Sequence, residues 1–483
     1  MCFFCTFAAA LSDINNTVGS RVSKFIKDIG IYAIGNIGSK IITFMMVPMY
    51  THYVEKSDFG YYDLCFTWCL LLMPFVTLQL RDGAFRFLLD CDNDTRRQRI
   101  VTFVSRTMIS TTVLSCIITA ALAMFTDIQY LGYALSMLLA LSFQEVYSQV
   151  FRGLGNNRAF VTVGILSALG IGLFSIFFVV GLGWGIKGIF LANILARVLA
   201  LMLVEARVKL ITRNTSWSIS SREVARDILR YTLPLLPGSL CWWLTGSSDR
   251  LFISHFLGLD VNGVYAVATR FTGIIYTLAI IFYQAWQETA ILQYNSPDRN
   301  RFFSRMFNSY ILVLGFILVA YAFLLKVNYG WLVALEYQQS LNYIYLLGLS
   351  AVVFAIAAFF DMGYQCAKDT KRTLPAIVLA AIVNLTFNFL LIKPLGVYGV
   401  ISTQLITYLV LVTYRWFDMR RYFVLKFELR TLVPISLMVI CAIPFYYNRS
   451  IAIDIACMAA AIACMAWPYR EEILSKLMRR LKT

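Results

Sequence analysis

Three cations lie where a membrane-spanning helix rarely keeps one. Lys40 falls about midway along an apolar run, Arg197 midway along another, and Arg270 about a third of the way along a further one. A Lys or Arg at such depth costs roughly 2.5–3.5 kcal/mol on insertion scales, so it normally faces the bundle interior or a wet cavity. Lys40 lies in the first run of one half of an internal repeat and Arg270 in the second run of the other half. That placement predicts a water-filled cationic cavity, to which Arg197 and Arg86 add charge, and which would attract an anionic substrate. Pairing with Asp63, Glu145, Asp361 or Glu288 is the alternative use of the same cations.

The carboxylates carry their own expectation. At membrane depth Asp63, Glu145 and Asp361 are candidate proton or Na⁺ carriers if an ion gradient drives the protein, and otherwise they neutralise nearby cations. Metal chemistry is not expected. The two histidines, His52 and His255, occupy equivalent repeat positions at span ends, but two histidines alone make a poor metal site. The eleven cysteines are scattered through apolar runs or stand as Cys2/Cys5 and Cys65/Cys69, without a second CxxC or a histidine at metal spacing. They read as small core residues. The chain has no G-x-x-x-x-G-K-[ST] phosphate loop, so ATP does not drive it directly. It has no nucleophile motif of a hydrolase either. No cofactor and no enzymatic activity are expected.

The elements that position these residues follow from composition. Of 483 residues, 59% are hydrophobic and 14% charged, against roughly 45–50% and about 25% in soluble domains. The reading is an all-α polytopic membrane protein. Runs long enough to cross about 30 Å of hydrocarbon fall near 29–50, 60–80, 101–125, 128–150, 160–182 and 188–206. A second set falls near 231–250, 264–286, 307–325, 341–365, 374–392 and 396–414, and a final pair near 431–447 and 451–468, fourteen in all. Residues 1–20 hold a short apolar patch with no basic region ahead of it, so no secretory signal is expected. Pro48, Pro74, Pro234 and Pro237 interrupt three spans, where a missing backbone donor bends the helix.

Charge orients the bundle. Alternate connectors are basic, and with the terminal segments they gather thirty-two cations on one side; the opposite connectors hold Lys56, Lys187, Arg250, Lys326, Lys393 and Arg449. That split puts both termini in the cytoplasm. It also explains the net charge of +16 without nucleic acid, which is not an expected partner.

The chain repeats itself. Aligning Gly60 on Gly263 brings Tyr62 onto Tyr265 and His52 onto His255. Glu145-x3-Gln149-x2-Arg152 recurs as Asp361-x3-Gln365-x2-Lys368, and Gly185-x2-Gly188 as Gly396-x2-Gly399. Six spans per half give both halves one orientation, and parallel repeats are related by an axis along the membrane normal with the substrate path between them. The expected organisation is a cytoplasmic segment 1–28, an N-lobe 29–210, a cytoplasmic linker 211–230 and a C-lobe 231–416. Residues 417–468 carry spans thirteen and fourteen, and 469–483 a cytoplasmic tail.

The motifs in their order resemble a known family. Asn36-x-Gly38-x-Lys40, Phe59-Gly60-Tyr61-Tyr62 and Asp82-Gly83-Ala84-Phe85-Arg86-Phe87 are similar to the bacterial polysaccharide-transport branch of the multidrug/oligosaccharidyl-lipid/polysaccharide flippase superfamily. So are Ser248-Asp249-Arg250 with Gly258, Gly263-Val264-Tyr265, and Gln284-x-Trp286-Gln287-Glu288. The resemblance covers roughly Lys24 to Trp416. It implies an inner-membrane flippase that moves an undecaprenyl-pyrophosphate-linked oligosaccharide outward by alternating access between two six-helix lobes, for O-antigen, capsule or exopolysaccharide assembly. It further implies membrane lipid and the polysaccharide polymerase and chain-length machinery as partners, and a groove for the lipid tail beside the extra spans. Trp242, Tyr283 and Trp286, near the cavity, are candidates to stack on sugar rings. A drug/cation antiporter of the same fold is the first rival, but its substrates favour an acidic cavity. A membrane polymerase or ligase is the second, and such enzymes carry a large external loop.

The topology is testable with reporter fusions after Arg226 and after Arg449, which should report opposite sides of the membrane. The same signal from both would undo the count of spans.

Overall fold

A computed structural model describes residues 45–89, 91, 93–216, 222–367, 369–431, 433–437, 439 and 451–467. Every regular element among them is helical, and the all-α polytopic architecture expected from composition is what the chain adopts. Nine helices among the described residues are long and apolar enough to cross a membrane. In chain order these and their shorter neighbours are labelled α1 (45–53), α2 (Lys56–Thr77), α3 (Leu80–Leu89), α4 (Asp94–Phe125), α5 (Leu131–Gly153), α6 (Asn157–Ser175) and α7 (Gly185–Val208). They continue as α8 (Arg222–Thr232), α9 (Leu236–Ser247), α10 (Asp249–Phe256), α11 (Leu259–Gln293), α12 (Arg299–Leu332), α13 (Leu341–Cys366), α14 (Thr373–Leu395), α15 (Val397–Met419) and α16 (Ile451–Ala466).

The nine spanning helices coincide with nine of the fourteen expected runs. The other five differ for separate reasons. Most of 29–50 and of 431–447 lies outside the described residues. The helix α5 has the length of a span but carries Gln144, Glu145 and Gln149. The run 231–250 is not one helix. Pro234 sits in a 3-10 turn, Pro237 opens α9, and the path breaks at Ser248 before α10. The last, α16, has sixteen residues.

Proline marks the other break. Pro74 lies inside α2, and the helix ends one turn later, where the backbone N–H groups of Leu78 and Gln79 turn back to the carbonyls of Phe75 and Pro74. Leu78 and Gln79 both have positive φ, 48° and 54°, a conformation that costs energy in non-glycine residues. The expected run 60–80 thus continues as the separate helix α3.

The chain forms two compact units. One holds Val267–Asn384 and Ile401–Thr483, the other Gly38–Ala266 and Leu385–Val400. The division falls inside α11 rather than in the segment 211–230, so the lobe boundaries of the repeat are a separate matter from the compact units. Residues 211–230 are in any case not a plain linker. They contribute α8, whose Val224 and Ile228 are buried against α3 and α4 beside Leu80, Leu88 and Val104. The other unit is organised around aromatic rings. Trp286 stacks on Phe359 (centroids 4.9 Å apart, planes at 13°), and Phe282 on Tyr310, with Phe303, Phe307 and Phe360 closing the cluster.

The repeat has a physical counterpart. Gly60 and Gly263, aligned by sequence, meet one another within the second unit. A Cβ on Gly60 would lie 2.0 Å from the Leu259 carbonyl oxygen and 2.8 Å from the Gly263 nitrogen; one on Gly263 would lie 2.2 Å from the Lys56 oxygen. The Asn262 amide donates to the Gly60 carbonyl across the same contact, at 2.7 Å. Backbone meets backbone here, and no side chain fits. Gly60→Ala or Gly263→Ala should therefore cost about 1–3 kcal/mol, the range for overpacking, read as a lower melting temperature in detergent. Gly164→Ala, where an added Cβ meets nothing within 4 Å, is the matched control and should melt at the wild-type temperature or above.

Candidate functional site: buried charge within the helices

Each compact unit contains a buried carboxylate–arginine pair, and neither arginine was recognised as such from sequence. In the second unit Arg250 donates through Nε to Asp63 Oδ2 at 2.6 Å, with both side chains largely buried. The adjacent Asp249 is buried as well, and its two oxygens accept from the Tyr265 hydroxyl (3.0 Å) and the Asn388 amide (3.1 Å). Asp249 and Arg250 open α10 directly after Ser248. The Ser-Asp-Arg motif and the repeat tyrosine Tyr265 therefore belong to one polar network.

In the first unit the partner is Arg415, 1% exposed. Its Nη2 lies 2.9 Å from Asp361 Oδ1, and its Nη1 donates to the Ala357 carbonyl at 2.7 Å. The other Asp361 oxygen faces the Tyr283 hydroxyl (3.4 Å) and the Gln365 amide (3.2 Å), and Gln365 also bonds Tyr283 and Gln287. Outside the spans the network goes on. Asp369 accepts from Arg372 (2.9 Å) and from Tyr422 (2.8 Å). Partial burial, then that bond to a carboxylate, push the Tyr422 hydroxyl up to about 12, so it remains a donor at neutral pH.

Lys40 lies outside the described residues. Arg270 is half-buried on α11 in the first unit, whereas Arg197 and Arg86 belong to the second. Arg197 donates to Gln144 at 2.7 Å, and its Nε is buried without a hydrogen-bond partner among the described residues. Arg86 is exposed at the end of α3. Glu145 faces Arg81 at 3.5 Å, a partly exposed pair. The side chain of Glu288, the fourth carboxylate weighed as a partner, is not described. His52 and His255 are both exposed, and no metal-binding cluster occurs among the described residues.

Two sequence expectations need correction. Trp286 is no stacking platform for a sugar: it is 1% exposed, with Phe359 on one face and Phe303 at its edge. Tyr283 and Trp242 differ from it, the first holding Asp361 and the second 41% exposed. In addition Arg250, Lys326 and Arg415, read as connector cations, lie within helices. Lys326 sits near the end of α12 and pairs with Asp454 of α16 at 2.6 Å, which ties the last helix to the bundle. Removing the three from the tally of loop charge leaves its asymmetry intact.

A buried ion pair broken on one side leaves an uncompensated charge, at roughly 3–5 kcal/mol, whereas replacing both partners by apolar residues is often neutral. Asp361→Ala should therefore strongly lower the melting temperature and membrane abundance, and Arg415→Met added to it should recover most of the loss. Equal losses in the single and double variants would mean that the pair holds nothing in place.

Comparison with known proteins agrees with this architecture. The family described as polysaccharide biosynthesis protein matches residues 25–287, more than half of the chain. Among solved structures, the lipid II flippase MurJ in an inward closed conformation superposes with a TM-score of 0.71 at 13% identity, over 92% of this chain and 99% of its own. An inward-facing multidrug resistance MATE family transporter of the MOP superfamily gives 0.64 at 14% identity, over 81% and 95%. The Vibrio cholerae MATE transporter VcmN, solved as a mutant, gives 0.52 at 13%, over 83% and 98%. No curated protein matches. These folds belong to transporters and a flippase rather than to enzymes. The chain is a multi-pass membrane protein of the MOP fold and belongs to the polysaccharide biosynthesis protein family.

Proposed function

We propose that the protein is an inner-membrane flippase that carries an undecaprenyl-pyrophosphate-linked oligosaccharide from the cytoplasmic to the outer leaflet by alternating access, supplying surface polysaccharide such as O-antigen. The observation that carries this reading is the family match over residues 25–287 together with a fold shared with a lipid II flippase along nearly the whole chain. The polar residues fit it. A pyrophosphate is anionic, and Lys40, Arg270, Arg197 and Arg86 would supply the positive field that draws it in. Tyr283 and Trp242 are the aromatics left to meet the sugars. The termini lie in the cytoplasm on the evidence of loop charge, and a polymerase with its chain-length machinery would receive the product.

The carboxylates play a more restrained part than an ion carrier needs. Asp63 and Asp361 neutralise Arg250 and Arg415, so protonating either would leave a buried cation alone. Glu145, with a partly exposed arginine 3.5 Å away, is the carboxylate whose protonation would disturb least, and it is the better candidate for coupling. The antiporter reading loses ground on the family match, because the MATE likeness rests on fold alone.

Charge at the site is separable from packing by complementing a flippase-deficient strain. Arg270→Lys should keep part of the polymer export, and Arg270→Ala should lose nearly all of it at normal membrane abundance. Lys40→Arg and Lys40→Ala should divide the same way. Full export by both Lys40→Ala and Arg270→Met would show that the cationic cavity is misplaced.

A further inference from the structure

The helices α6 and α7 touch closely at Gly170 and Gly188. An added Cβ on Gly170 would lie 2.9 Å from the Ala196 Cβ, and one on Gly188 would lie 3.1 Å from Val179, in the π-helical continuation of α6. Beside the start of α6 and the end of α7, where Ala159, Val163 and Val204 pack in one buried cluster, runs a groove of about 630 Å³, walled by Thr162, Leu166, Leu203 and Val208. Its volume falls within the roughly 300–1,000 Å³ of small-molecule sites. Both helices are long and apolar enough to span a membrane, so a groove along them is within reach of lipid chains.

One end of the groove is cationic. Arg158 stands in the first turn of α6 and Arg207 in the last turn of α7, and both line the groove. Both side chains are exposed, and neither forms an ion pair or a side-chain hydrogen bond among the described residues. The carboxylate nearest in sequence, Glu205, is engaged elsewhere: it accepts from the Ile211 and Thr212 backbone N–H groups and from the Thr212 hydroxyl. Two guanidinium forks above an apolar slot match a phosphate attached to an acyl chain, since Arg contacts phosphate oxygens bidentately.

We propose that this groove binds an anionic phospholipid of the membrane, its phosphate between Arg158 and Arg207 and an acyl chain along Leu166, Leu203 and Val208. The site is independent of the transport reading. A zwitterionic lipid brings the same phosphate with a cation beside it, so the net charge of the headgroup favours the anionic lipid.

Native mass spectrometry of the full-length protein in mild detergent, offered phosphatidylglycerol and phosphatidylcholine in equal amounts, tests the assignment. The wild type should retain phosphatidylglycerol preferentially. Arg158→Ala with Arg207→Ala should reduce that retention by roughly tenfold or more, at about 1 kcal/mol per basic residue near an anionic surface. Arg96→Ala with Arg99→Ala, a basic pair away from the groove, should not. Leu203→Trp, which fills the slot and keeps both charges, should also reduce retention. Equal retention of the two lipids, equal loss from both arginine pairs, or an unaffected Leu203→Trp would overturn the proposal. So would inorganic phosphate at millimolar concentration displacing the lipid fully, because the headgroup alone would then account for binding.

Discussion

Charge inside hydrocarbon sets the terms for this molecule. An arginine or aspartate removed from water needs an opposite charge, a set of hydrogen bonds, or a wet cavity. The described helices meet that demand with paired residues from different helices: Asp63 with Arg250, Asp361 with Arg415, Lys326 with Asp454. Each pair joins elements distant in sequence, so the pairs act as positioning devices as well as neutralisers. Asp249, beside Arg250, meets the same demand with hydrogen bonds from Tyr265 and Asn388.

The helix breaks belong to that arrangement. A continuous helix through residues 231–256 would fix Asp249 and Arg250 at one angular setting relative to Pro234 and Pro237. The 3-10 turn at Leu233–Leu235 and the interruption at Ser248 divide that stretch into separate segments, and both charged residues stand largely buried at the start of the last one. Close backbone contact works in the same direction. The Gly60–Gly263 approach brings the N-terminal ends of α2 and α11 together, and with them Asp63 and Tyr265, one turn or less further on. Aromatic packing dominates elsewhere, where Trp286 and Phe359 fill space that needs no polar partner.

Much of this was legible in the sequence, and the misses have identifiable physical causes. Nine spans could be read because apolar runs of that length have few alternatives. The Gly60/Gly263 alignment could be read because a close backbone contact tolerates only one residue type. Arg250 and Arg415 were misplaced because each stands at the edge of an apolar run, where a charge reads as part of the connector, and a single sequence does not show which charge has a partner across the bundle. Lys326 was misplaced for the same reason: α12 runs to Leu332, seven residues beyond the apolar run that announced it. Trp286 misled because an aromatic beside polar Gln287 looks like a site residue, whereas its helical face points into the core. A clue was available in Asp361-x3-Gln365, which places both groups on one helix face and so announces a polar partner nearby.

The proposed flippase carries a lipid-linked anionic glycan, rather than a soluble cation, across the membrane. Purified protein reconstituted into vesicles, loaded in one leaflet with an undecaprenyl-pyrophosphate-linked oligosaccharide and probed from outside with an impermeant sugar-modifying reagent, measures that directly. The glycan should become accessible only when the protein is present, and Arg270→Ala should slow its appearance without changing reconstitution. Vesicles that leave the glycan inaccessible but expel a cationic dye would contradict it and identify an antiporter.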